Sequence, residues 1–280
     1  MLEGIGSQFV PVSAVCCMES TLYMFSKVDS GRRQLVFCGR AIKGGSPIFL
    51  NIGNQEPVAL FGLYKNAAAI NSEGEIIFID RESVKNSPDS HISSFSLPDG
   101  EKASSVACCG DTIVALSRNC RVFTSKIENG LLNFSKSDSL SSEEIKNISG
   151  TSNYCLAVSK TGRVFGLGSN KCGQLGLSKE TLKFSSFTEL SSLSKYEITA
   201  AFAGFYHSFF VTCEGKILSC GQNGRSQLLL NNSNSKEVYS PTETAITDNS
   251  PFFILGNMLT VSFIDGNPPP NTPNMKIQYH

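Results

Sequence analysis

Three histidines, ten cysteines and a run ending Gly173-Gln174-Leu175-Gly176 are the parts of this 280-residue chain with the chemistry to build a site. A histidine becomes a general base or a metal ligand only in company, with a carboxylate or further ligands beside it. His280 closes the sequence and His91 lies in the serine-rich stretch Asn86-Ser-Pro-Asp-Ser-His-Ile-Ser-Ser94, whereas His207 ends the sequence Gly204-Phe205-Tyr206-His207. Zinc asks for Cys-x-x-Cys or mixed Cys/His pairs, and no Cys-x-x-Cys occurs. Cys213 and Cys220, seven residues apart across a glycine, could meet on paired strands, but no second ligand pair accompanies them. The vicinal pairs Cys16-Cys17 and Cys108-Cys109 fall in apolar runs that read as strands, where neighbouring side chains point to opposite faces. That geometry opposes a dithiol. The Gly-Gln-Leu-Gly run lacks a following Lys-Ser/Thr and a following helix, so it reads as a structural turn rather than a phosphate cradle. No paired carboxylates and no Gly-x-Ser-x-Gly elbow stand out. These residues predict neither a catalytic centre nor a metal, and they imply no cofactor.

Composition points the same way. Lys+Arg and Asp+Glu number 24 each, so the formal charge is zero, which argues against phosphate backbone or an anionic membrane as the main partner. Charged residues make up 17% against a usual quarter, and 40% are hydrophobic, so a packed globular chain is expected. The start, Met1-Leu2-Glu3-Gly4-Ile5-Gly6, has no positive region of a signal peptide. The longest apolar stretch, Phe252 to Ile264, is interrupted by polar residues and shorter than the ~20 needed to span a bilayer. A reduced, cytoplasmic setting is expected, with the nucleus as the alternative, and the cysteines then serve as small buried hydrophobes.

The elements that must position these residues are repeated. Gly162 and Gly215, Gly168 and Gly221, and Gln174 and Gln227 each stand 53 residues apart, in a register that holds without a gap. Fainter copies surround them, and the first apolar residue after each turn (Leu35, Ile76, Val122, Val164, Ile217, Leu259) recurs at steps of 41, 46, 42, 53 and 42. Each copy reads as β. An apolar strand runs into a four-residue turn with Gly74, Gly162 or Gly215 last, the hairpin in which a left-handed residue forms a bulge. Cys120 takes that place in the third copy, so its turn must be strained or differently built. Upstream of each hairpin lies a further strand ending in a small residue, as in Val58 to Gly62, Ser105 to Gly110, Ile145 to Gly150 and Thr199 to Gly204. Three to four strands per ~40–50 residues is a β-propeller blade. The fold expected is therefore an all-β propeller of about six three- to four-stranded blades, seven being the alternative count. Terminal strands are expected to close it, Phe9 to Val15 sharing a blade with Met258 to Ile264. The propeller would occupy residues 1–264, and the Pro/Asn-rich 265–280 reads as a flexible tail, with a docking peptide as the alternative.

Absence of Trp excludes the Trp-Asp type of blade. The segments Gly168-Ser-Asn-Lys-Cys-Gly173-Gln-Leu-Gly176, Gly204-Phe-Tyr-His207, Gly215 and Ile217-Leu218 resemble the repeat of the regulator of chromosome condensation family, strongly over about residues 145 to 230. In that family the Gly-x-x-His loop faces the surface where a small GTPase can dock. Carried onto this chain, the equivalent loops place Lys65, Asp111, Asn153, Tyr154, Tyr206 and His207 on one polar and aromatic partner-binding face, with a bond from His207 to a neighbouring blade's carbonyl as the other reading. Gly74, Gly162, Gly168, Gly173, Gly176, Gly215 and Gly221 would shape the structural turns. The expected function is a non-catalytic protein-interaction scaffold, with guanine-nucleotide exchange on a Ran-type GTPase as the alternative. Chromatin is not expected as a partner, because Met1 to Gln8 carries none of the basic residues with which the family's chromatin-binding members are armed.

Overall fold

The computed structural model describes residues 8–17, 20–39, 47–87, 89–231 and 235–245, and the backbone strands 252–256 and 261–265. The first sheet contains β1 (Phe9–Cys17), β2 (Ser20–Lys27), β3 (Arg33–Gly39) and β4 (Ile48–Phe49). The second has β5 (Pro57–Leu63), β6 (Asn66–Asn71), β7 (Ile76–Ile79) and, after the helix α1 (Arg81–Asn86), β8 (Ser94–Phe95). A third is built from β9 (Ala103–Cys109), β10 (Thr112–Ser117), β11 (Val122–Glu128), β12 (Leu131–Leu132) and β13 (Ser135–Lys136). The fourth holds β14 (Ile145–Gly150), β15 (Tyr154–Ser159), β16 (Val164–Ser169) and β17 (Lys183–Glu189). The fifth repeats that plan with β18 (Ile198–Ala203), β19 (His207–Thr212), β20 (Ile217–Gln222) and β21 (Glu237–Glu243), and β22 (Phe252–Gly256) pairs with β23 (Val261–Asp265). Strands follow chain order across the four-stranded sheets, each antiparallel to the last, which is the build of a propeller blade.

The described residues of Met1–Val106 with Lys126–Ser135 form one compact unit, and those of Ala107–Ser125 with Lys136–Pro268 a second. One pairing differs from expectation. β1 is hydrogen-bonded to β2 within its own sheet, while β22 pairs with β23. Only two residues separate β1 from β2, so this local hairpin forms with little loop-closure entropy. Leu259 and the tail after Asp265 lie outside the described residues.

The turn between the second and third strands is one device used four times. Its first residue supplies both a carbonyl and a side-chain oxygen. Ser159 O accepts from Gly162 N at 3.1 Å and Ser159 Oγ from Arg163 N at 3.0 Å. Thr212, Ser117 and Asn71 do the same for Gly215, Cys120 and Gly74 and the residues after them. The fourth residue is left-handed every time, with φ of 80°, 62°, 82° and 81° at Gly74, Cys120, Gly162 and Gly215. The third turn is therefore built like the others and bears the strain. A side chain in that conformation costs about 1–2 kcal/mol, partly offset by the ~0.5–1 kcal/mol of extra chain entropy that glycine loses on folding. Cys120→Gly should raise stability by about 0.5–1 kcal/mol, read as a melting temperature higher by about 1–4 °C. A lower melting temperature would show that the thiol contributes more than the strain removes.

Period-two alternation explains the continuous apolar runs. Tyr154, Leu156 and Val158 of β15 join a core with Ala201, Phe210 and Leu218 of the fifth sheet. Cys155 and Ala157, on the other face, join Val114, Leu116 and Val122 of the third. Both faces are covered, so every position is apolar. In the first unit, Leu22, Met24, Leu35 and Phe37 pack in the same way with Ala67, Ala69, Ile77 and Ile79.

The connection after β16 is fastened by Asn170, which is fully buried. Its Nδ2 donates to the carbonyls of Leu177, Ser178 and Thr181 at 3.1, 3.2 and 2.8 Å, and its Oδ1 accepts from Leu175 N at 2.9 Å. Asn223, 53 residues on, donates to Ser235 O and accepts from Leu228 N. Gln174 and Gln227 accept from Cys172 N and Arg225 N, and Leu175 is buried between the fourth and fifth sheets. Gly173 and Gly176 are left-handed, and a Cβ on either would stand 2.8 Å from Val238 O or 2.7 Å from the Pro241 ring of β21. Ser226 and Leu229 occupy the matching places in the fifth copy and remain left-handed at 56° and 55°. Gly168 and Gly221, expected in turns, instead sit inside β16 and β20, where the pairing with the next strand shifts register. Positive φ there lets the chain bulge against the loops at Asn153 and Tyr206.

Candidate protein-docking face

The turns between first and second strands carry the residues singled out from the sequence. In the first unit that turn is Tyr64-Lys65, and Lys65 is exposed. In the second unit the turns are Gly110-Asp111, 151–153 and 204–206. The last two are closed alike, Thr151 N donating to Tyr154 O at 2.9 Å and Gly204 N to His207 O at 2.8 Å. They adjoin one another: Asn153 Nδ2 donates to Phe205 O at 3.2 Å. Gly110 lies beside them, its Cβ position 3.5 Å from Ser152 O. The outcome is a contiguous strip of exposed Asp111 and half-buried Asn153, Phe205 and Tyr206. The rings of Phe205 and Tyr206 meet edge to face, 4.5 Å between centroids.

Tyr154 and His207 leave this face. They are repeat equivalents, each the first residue of its sheet's second strand, and both are fully buried because strand alternation turns them inward. Tyr154 Oη donates to His207 O at 2.5 Å and lies 2.8 Å from Ser208 Oγ, which donates to Gln174 O at 2.5 Å. Burial holds the Tyr154 hydroxyl well above the usual phenol range. The bond between sheets thus reaches the main chain of His207, whereas both imidazole nitrogens are buried without a partner. Only a glycine fits at 204, since a Cβ there would overlap that imidazole. Desolvation lowers the His207 pKa from 6.5 to about 4, so the ring is neutral at pH 7.

Elsewhere the chemistry is subdued. The cysteines are all free thiols. Burial raises Cys17 to about 12 and Cys109 to about 11; of the two pairs, Cys17 and Cys108 are buried, Cys16 is exposed, and Cys109 is half-buried against the second unit's core. Cys213 and Cys220 do not meet, for Cys220 sits opposite Ser208 while Cys213 is in the exposed turn. Among the described residues, no three His, Cys, Asp or Glu converge to hold a metal, and no helix is long and apolar enough to cross a membrane. In the first unit a hollow of about 550 Å³ is lined by Glu56, Glu75 and His91, and the Glu75 carboxylate is engaged by Asn71, Ser94 and Ser96. Sequence reasoning passed over Phe205, although it stood in the Gly-x-x-His motif. It also missed Asn170 and Asn223, whose recurrence at the repeat spacing was the available signal.

Stacked four-stranded antiparallel sheets, each with its first-to-second-strand turn free to vary, define a β-propeller. Residues 161–211 and 198–227 match the regulator of chromosome condensation (RCC1) repeat, so this part of the chain carries RCC1-like repeats on the propeller fold. It is 41% identical over 85 residues to the probable E3 ubiquitin-protein ligase HERC4 of Homo sapiens, a stretch covering 30% of this chain and 8% of the ligase. It is 37% identical over 92 residues to the secretion-regulating guanine nucleotide exchange factor of Bos taurus, covering 33% of this chain and 20% of that protein. The chain thus spans a small part of the curated relatives it matches. Prp20p of Saccharomyces cerevisiae, whose crystal structure is described together with its binding to Gsp1p and histones, superposes with a TM-score of 0.67 at 14% identity, over 91% of this chain and 68% of that one. That likeness establishes the fold.

Proposed function

We propose that this chain is a non-catalytic scaffold whose protein partner docks on the turn face of the second unit. The observation that carries this reading is the half-buried Phe205–Tyr206 pair beside exposed Asp111. Rigid aromatic rings within a polar rim are the residues that dominate binding energy at interfaces. The Asn153 bond to Phe205 O holds the loop in place before a partner arrives, which lowers the ordering entropy of association. Affinity capture from cell extract, quantified for the parent and for Phe205→Ala/Tyr206→Ala, tests the face. The double variant should lose its partner at least tenfold while melting like the parent. An unchanged set of partners would refute the assignment.

The second reading, exchange on a small GTPase, is favoured by the likeness to a guanine nucleotide exchange factor and by the description of Prp20p with Gsp1p. Exchange needs a surface that prefers the nucleotide-free GTPase, and tighter binding there weakens nucleotide binding by the same factor. Asp111 is the exposed acid suited to that task, whereas His207, being buried, is not. Release of fluorescent GDP from a Ran-type GTPase should accelerate with the parent and slow with Asp111→Ala if this reading holds. Because Prp20p is also described with histones, the expectation that chromatin is no partner has no support from the relatives.

A further inference from the structure

The turn strip of the second unit is one-sided in its charge. Residues 110–111, 151–153 and 204–206 include one carboxylate, Asp111, and neither lysine nor arginine. Asp111 is exposed, and its carboxylate forms no ion pair or hydrogen bond with another described residue. Its turn is held against the next one, for a Cβ on left-handed Gly110 (φ 63°) would stand 3.5 Å from Ser152 O. Asn153 commits its Nδ2 to Phe205 O, and its Oδ1 has no donor among the described residues. Phe205 and Tyr206 meet edge to face, so each ring keeps at least one face that the other does not cover. A carboxylate, an amide oxygen and the face of an aromatic ring all attract positive charge.

We propose, resting on the docking face assigned above, that the partner presents an arginine side chain to this strip, its guanidinium paired with Asp111 and laid on the Tyr206 ring. A guanidinium carries five N–H donors in one plane, enough for both carboxylate oxygens and for Asn153 Oδ1, and its flat side stacks on an aromatic ring. An ammonium is a compact, strongly hydrated charge that can pair with Asp111 but cannot serve the carboxylate and the ring in the same way, so lysine is the poorer occupant. Asp111 keeps its water while the face is free, so the pair forms at a rim where desolvation is small and salt screens the attraction. An acidic or wholly apolar segment seated there would instead cover the carboxylate without a counter-charge, which is costly.

The probe is a fluorescein-labelled peptide of alternating glycine and arginine, compared by fluorescence polarisation on the full chain with its lysine and citrulline counterparts. Citrulline keeps the shape of arginine without the charge. The arginine peptide should bind the parent about tenfold more tightly than the citrulline peptide and about threefold more tightly than the lysine peptide, and added salt should weaken it. Its affinity should fall about tenfold in Asp111→Asn and about threefold in Tyr206→Ala. Asp138, exposed ahead of β14 at the end of that strand away from its turn, supplies the control: Asp138→Asn should bind like the parent. No binding, equal binding of the arginine and citrulline peptides, or equal losses in the two Asp→Asn variants overturns the inference. Loss of the extract partners in Phe205→Ala/Tyr206→Ala without a preference for arginine would sink this inference and leave the docking face standing, whereas retained partners would sink the face itself.

Discussion

Asn170→Asp is expected to unfold the second unit's loop after β16 and to cost roughly 4 kcal/mol at neutral pH. The substitution keeps the shape and the Oδ1 that accepts from Leu175 N, but it sets an oxygen where an NH₂ donates to three carbonyls. Those carbonyls of Leu177, Ser178 and Thr181 lose their donor and face a carboxylate in a fully buried position. The carboxyl is then stabilised in its protonated form, so its folded-state pKa rises above the unfolded ~3.9. Relative to the parent at the same pH, the defect should shrink as pH falls toward 4 and reach its full size once pH exceeds the raised folded value. Chemical denaturation at a series of pH values measures this difference directly. A constant or small defect would mean that Asn170 acts as filler and that its hydrogen bonds contribute little.

Acid should destabilise the parent through His207. The folded pKa of about 4 lies below the ordinary 6.5, so between these values the unfolded chain binds more protons than the folded one. Stability therefore rises with pH across that window, and lowering the pH from 6.5 to 4 removes roughly 3 kcal/mol of it. The cause is desolvation of a ring that would have to be charged beneath Gly204 with no acceptor for either N–H. His207→Phe, which keeps an aromatic ring facing Phe209, should flatten the limb between pH 4 and 6.5 while leaving stability at pH 8 within about 1.5 kcal/mol of the parent. An acid limb of unchanged steepness in the variant would assign the pH dependence to other groups.

Much of this architecture was legible because it rests on local physics repeated along the chain. A left-handed position after three turn residues demands glycine or tolerates strain, and Gly74, Gly162, Gly215 and Cys120 marked the four hairpins in advance. Apolar runs such as Tyr154 to Val158 read as strands, and the structure adds that both of their faces are covered. The resemblance over the two best copies named the repeat. Side-chain direction at strand starts was not legible. Tyr154 and His207 look like loop residues on a polar rim, and a shift of one position in where β15 and β19 begin decides between that rim and the interior.

The amino-acid sequence by itself determined the repeat, the turns and the antiparallel blade, since each depends on residues within a few positions or one copy of each other. Tertiary structure alone decided which polar groups meet. Packing of the fifth sheet on the fourth joins Tyr154 to the main chain of His207, strips water from that imidazole and aligns Asn153 beneath Phe205. Contacts between residues more than 50 positions apart depend on how neighbouring blades stack, and the free energies of desolvation and buried hydrogen bonding arise only once that stacking excludes water.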